Sequence, residues 1–132
     1  MRKGTVAALF GLVAGLLVSA VPAIAHHSFS AEFDSSKPVT KQGFVTKVEW
    51  TNPHARFYID VKDQSGSVVC WELEMGSPNV LQREGWTRNS MKAGDHVIVG
   101  GFLAKDGSKL ANAREVKLAD GTRVFAGSSG PK

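Results

Sequence analysis

A period of two runs through the chain in five short stretches, each closed by a turn signal, and this pattern constrains the fold most. It begins at Val39. Phe44, Thr46, Val48 and Trp50 alternate with Val45, Lys47 and Glu49, and Thr51-Asn52-Pro53-His54 reads as a turn. Phe57, Ile59 and Val61 alternate with Tyr58 and Asp60 until Asp63-Gln64-Ser65-Gly66 turns the chain again. Val69, Trp71 and Leu73 alternate with Val68, Cys70, Glu72 and Glu74 in a third stretch. A fourth starts after Ala93-Gly94 at His96-Val97-Ile98-Val99-Gly100, with Phe102 beyond it. A fifth runs near Leu110–Lys117, after the Lys105-Asp106-Gly107-Ser108 hairpin turn.

Between the third and fourth stretches the pattern predicts one short helix. Ser77 is its N-cap, Pro78 its first residue, Val80 and Leu81 its apolar side, and Gly85 its left-handed stop. Three strands, a short helix and two strands give the order of an OB-fold, a five-stranded, mainly β Greek-key barrel. Closure removes the exposed edges that five short strands would otherwise leave. Gly43 marks a bend or bulge in the first strand. The barrel domain is expected over residues 39–126, an extended arm with Phe29 and Phe33 over 26–38, and a disordered tail over 127–132.

Residues 1–25 read as a secretory signal. Arg2 and Lys3 precede an apolar run from Val6 to Val18, and Ala23-Ile24-Ala25 is a small-residue cleavage site. The run is short for a membrane span, holds two glycines, and is broken by Pro22. Composition enters here: the full chain has 16 Lys+Arg against 12 Asp+Glu, but removing the leader takes two bases and no acid. The net charge of +4 then falls to +2, too little for nucleic acid, and the product is expected to be periplasmic or secreted with no membrane span. Cys70 has no partner for an internal disulfide and is expected to fill a strand interior.

His26-His27-Ser28-Phe29, Glu32-Phe33-Asp34, Trp50-Thr51-Asn52-Pro53-His54, Trp71-Glu72-Leu73-Glu74, Ser77-Pro78 and Gly85-Trp86 together resemble one family. It consists of small exported bacterial proteins of unknown function that open with His-His-Ser-Phe and carry a Trp-x-Asn-Pro-His segment. The resemblance covers nearly the whole mature chain, implies export and a small β-barrel, and implies no activity.

The sharpest chemical feature follows from the leader. Cleavage between Ala25 and His26 would present an N-terminal His, whose α-amino nitrogen and ring Nδ1 chelate one cation. The amine titrates at about 7.7–8.0, so copper can displace its proton near neutral pH, and copper(II) heads the divalent affinity order. Cleavage after Ala23 would begin the chain Ile24-Ala25-His26, which also binds copper through the amine, backbone nitrogens and imidazole.

His27 and His54 are the further candidate ligands, although His54, beside Trp50 and Asn52, is expected to hydrogen-bond its own turn. His96 is expected to be a strand-end histidine. No HxH, HxxxH or CxxC spacing is present. Glu72 and Glu74 share a strand face that is expected to be solvated, and Trp50 and Trp71 to face the core. No phosphate loop, nucleophile elbow or triad order appears, so a binding role is expected rather than catalysis. The first hypothesis is a copper-binding protein; the second is a ligand-binding or interaction barrel without metal, whose loops meet a periplasmic protein or small ligand.

Overall fold

The computed structural model describes residues 28–127. The leader (1–25), its cleavage site at Ala25 and His26, the His26-His27 pair and the last five residues lie outside the described residues. Within them the chain forms a mainly antiparallel β structure of six strands and two short helices. The order is α1 (Phe29–Glu32), β1 (Phe33–Glu49), β2 (Arg56–Lys62), β3 (Val68–Glu74), α2 (Pro78–Arg83), β4 (His96–Ala104), β5 (Leu110–Lys117) and β6 (Arg123–Phe125). No helix among the described residues is long and apolar enough to cross a membrane.

The sheet runs β3-β2-β1-β4-β5-β6, and β3 also pairs in parallel with β5 through Glu72–Leu110, Leu73–Ala111 and Glu74–Asn112. That second pairing occupies the free edge of β3 and encloses one apolar core. Phe57 and Ile59 from β2, Trp71 and Leu73 from β3, Val97 and Val99 from β4, and Val116 from β5 are buried in it. Met75, Leu81 and Trp86 come from around α2. Ser77 caps α2 by accepting from the Val80 N–H at 3.4 Å, and Gly85 takes a φ of 96°, which a side chain would disfavour.

Four features differ from the alternation pattern. First, β1 starts at Phe33, six residues before the period of two becomes visible. Pro38 pairs with Phe102 and Phe33 with Ala104, with an irregularity in between, so the Ser-Ser-Lys-Pro segment bulges without leaving the sheet. Second, residues 29–32 are a helical turn and not an extended arm. Phe29 packs on Phe33 and edge-on to Phe102, both at 5.7 Å, while the Lys105 N–H donates to the Glu32 carbonyl.

Third, Phe44 is 58% exposed and Val45 is buried. The register shifts between Val45 and Lys47, and the extra residue transfers the inward face to Val48 and Trp50. Fourth, there is a sixth strand, β6, which pairs Phe125 with Glu115 and Val124 with Val116. Trp86 holds it in place, its indole N–H donating to the Phe125 carbonyl at 3.0 Å.

Turns are fixed by short acids. Asp63 accepts from the Ser65 and Ser67 N–H groups and the Ser65 hydroxyl; Asp106 and Asp120 do the same for Ser108 and Thr122. These bonds, the Ser65 hydroxyl first for Asp63, hold each carboxyl below the usual aspartate value. A depressed folded-state pKa contributes stability above the unfolded value and loses it as pH falls through the folded one. The melting temperature is therefore expected to fall as pH drops below about 4, with Asp63→Asn reducing that fall in a thermal-melt series against pH.

Candidate functional site

A polar ribbon crosses the outer face of β1, β2 and β3. Cross-strand pairing aligns Glu49 with Arg56 and Glu74, and Lys47 with Tyr58 and Glu72. Neighbours on one face of a sheet are close enough to interact directly, and these do. Lys47 pairs with Glu49, and the Tyr58 hydroxyl donates to Glu49 Oε2 at 3.2 Å. Burial, then the charges of Glu72 and Glu49, push the Tyr58 phenol above its usual range.

The ribbon ends at a buried carboxylate. Arg56 spans both glutamates, its Nη1 donating to Glu72 Oε1 at 2.8 Å and its Nη2 to Glu74 Oε2 at 3.4 Å. The other oxygen of Glu74 pairs with His54, whose Nδ1 lies 3.1 Å from Oε1. His54 arrives from the β1–β2 loop just after Asn52-Pro53, and its backbone neighbour Ala55 is locked by bonds to Gly76 and Met75. The loop thus delivers the imidazole to the end of β3. Burial raises the Glu74 carboxyl above the usual glutamate range; His54 lowers it, the Glu32 carboxylate of α1 adds to the rise, and Arg56 lowers it further.

Three expectations change here. The Glu72 and Glu74 face is not evenly solvated: the Glu74 side chain is only 4% exposed, because β3 turns its end toward β5 and the segment around α1. His54 bonds to β3, twenty residues away, and not within its own turn. Neither fact has a sequence signal, since the spacing of His54 and Glu74 depends on how β2 and β3 pair. Cys70 likewise is not a core filler. It is exposed, opposite Asp60 on the outer side of β3.

Asn112, the β5 partner of Glu74, is buried at 2% exposure, and its Oδ1 has no hydrogen-bond partner among the described residues. A buried acceptor left so costs about 1–3 kcal/mol. His96 is set apart from this cluster, at the start of β4 with its ring edge-on to Phe44 at 5.2 Å. Among the described residues no group of three or more His, Cys, Asp or Glu side chains is placed to hold a metal ion. Of the sequence candidates, the described structure therefore places His54 alone in a polar cluster, while His26 and His27 fall outside it.

Residues 13–113 match DUF6152, a family of unknown function. The chain belongs to that family. A search of curated proteins found no match to this DUF6152 member. Within the matched span lie every strand from β1 to β4, the first half of β5, and the whole His54–Glu74–Arg56–Glu72 cluster.

Proposed function

We propose that this DUF6152 protein is exported, loses residues 1–25, and binds copper or a similar transition metal through its new amino end. His26 supplies the α-amino nitrogen and ring Nδ1, and His27 and His54 supply further imidazole nitrogens. The observation that carries the reading is the His54–Glu74 pair, 3.1 Å between Nδ1 and Oε1. A metal-ligating histidine commonly donates its other ring N–H to a carboxylate, which fixes the tautomer and ring orientation. With Nδ1 turned to Glu74 Oε1, Nε2 is the His54 ring nitrogen left facing away from the carboxylate.

Position adds support. The Glu32 carboxylate of α1, six residues from His26 in the sequence, is close enough to act on the Glu74 carboxyl. The role in this reading is binding, since the cluster's acids are tied to Arg56 and His54. The fold reading that goes with it is an OB-like five-stranded barrel of β1 to β5, with α2 between β3 and β4 and β6 as an addition. The β3–β5 pairing favours it, since that pairing joins the two ends of the five-strand order.

The test has two steps. Mass spectrometry of the secreted protein gives its first residue, expected to be His26. Calorimetric titration with copper(II) then compares that form with a His26→Ala, His27→Ala variant and with Glu74→Gln. The double variant is expected to bind at least about 100-fold more weakly, and Glu74→Gln about 10-fold more weakly. A double variant that binds as tightly as its parent would overturn the reading.

A further inference from the structure

At the end of the core remote from α2, a groove of about 420 Å³ is lined by residues of β1, β2, β3 and the two loops that follow β2 and β4. The volume suits a small molecule. Its floor is Trp71, 7% exposed, and two cations lie over the indole: Lys41 Nζ at 4.2 Å and Lys109 Nζ at 5.4 Å from the ring centroid. Both are held there by the electron-rich ring face.

The arrangement is unlike a solvated lysine patch in three respects. Lys41 occupies an inward register position of β1, between Val39 and Gly43, so its half-buried stem is directed to the end of the core. Neither Lys41 nor Lys109 forms an ion pair with any described residue; the ion-paired lysines are Lys37, Lys47 and Lys92. Lys62 lines the same groove, and the one acid among its lining residues, Asp63, is taken up by its own Ser65 and Ser67 turn. Two like charges are therefore drawn onto one ring with no ion pair to either, and the single carboxylate of the lining, Asp63, is turned to its own turn.

The geometry points to a site for a small phosphate-bearing anion at Lys41, Lys109 and Trp71. A doubly charged group with several oxygens answers both ammoniums at once, where a single carboxylate would neutralise one. Gln64 also lines the groove, and Val61 and Val69 offer an apolar wall for a small ester. The site is separate from the His54–Glu74 cluster, and the groove is too small for a polymer.

Heteronuclear NMR of the Trp71 indole N–H follows the test, with inorganic phosphate and glycerol phosphate titrated separately at constant ionic strength. A saturable shift at Trp71, with the Trp86 indole unmoved, is expected for at least one probe. Lys41→Gln with Lys109→Gln is expected to weaken it at least about tenfold, whereas Lys92→Gln with Lys117→Gln, matched in charge, leaves it unchanged. Saturation by inorganic phosphate identifies the free ion as a sufficient ligand, and saturation by the ester alone identifies a phosphomonoester. Shifts that an equal ionic strength of sodium chloride reproduces, or a double variant that titrates like its parent, would overturn the site.

Discussion

Gly101→Ala is expected to destabilise the protein by about 3 kcal/mol or more, lowering the melting temperature by more than about 10 °C. Gly101 lies on β4 at the register shift opposite β5, where it pairs with Ala113. A Cβ there would sit well under 3.0 Å from the Asn112 carbonyl oxygen, closer than real Cβ atoms come. That oxygen belongs to backbone held between β4 and β3, so it cannot withdraw without loosening both pairings. The adjacent residue is the control. A Cβ on Gly100 meets nothing within 4 Å, and Gly100→Ala is expected to change stability by no more than about 0.5 kcal/mol. Equal melting temperatures for the two variants would refute the close approach at Gly101.

Trp86→Ala is expected to cost about 3–5 kcal/mol, through the cavity left by a side chain that is 2% exposed in the core. Part of the loss is polar. The indole N–H is the donor to the Phe125 carbonyl, and removing it leaves that oxygen without the bond that anchors β6. Trp86→Phe separates the two effects, keeping most of the ring volume and losing the donor, at an expected cost of about 1–3 kcal/mol. Hydrogen exchange at Val124 and Phe125 reports the second effect directly: it is expected to accelerate in both variants. Unchanged exchange in Trp86→Phe would show that β6 does not depend on the indole.

Much of the framework was legible in the residues because a half-buried strand writes its burial into alternate positions. Phe57, Ile59 and Val61, or Val69, Trp71 and Leu73, declare their inward face without any tertiary knowledge. The pattern failed where the chain departs from strict pleating. Phe44 was placed inward by counting in twos, and the bulge after Val45 reverses the count within three residues. Ser35, Ser36, Lys37 and Pro38 carry no alternation, yet the strand passes through them because Phe33 is buried beside β4. Three residues of β6 are too few to carry a period at all.

The site was less legible than the fold, for a physical reason. An imidazole in a loop and a glutamate at a strand end have no periodic relation; they meet only once β2 and β3 are in register and β5 has closed over the end of β3. Glu74 carries the same letter as Glu72 and shares Arg56 with it, but its side chain is buried where that of Glu72 is part-exposed. Likewise Trp71 is a core residue by alternation, and nothing in its spacing reveals that Lys41 and Lys109 cover its ring.

The central functional claim is that one metal ion joins the processed amino end to His54. Imidazole resonances of the protein beginning at His26 can be followed by NMR while copper(II) is added in steps below one equivalent, since the paramagnetic ion broadens only nearby nuclei. Simultaneous loss of the His26, His27 and His54 ring signals, with His96 still sharp, is the predicted result. His54 remaining sharp while the terminal pair broadens would contradict a site shared with the folded domain.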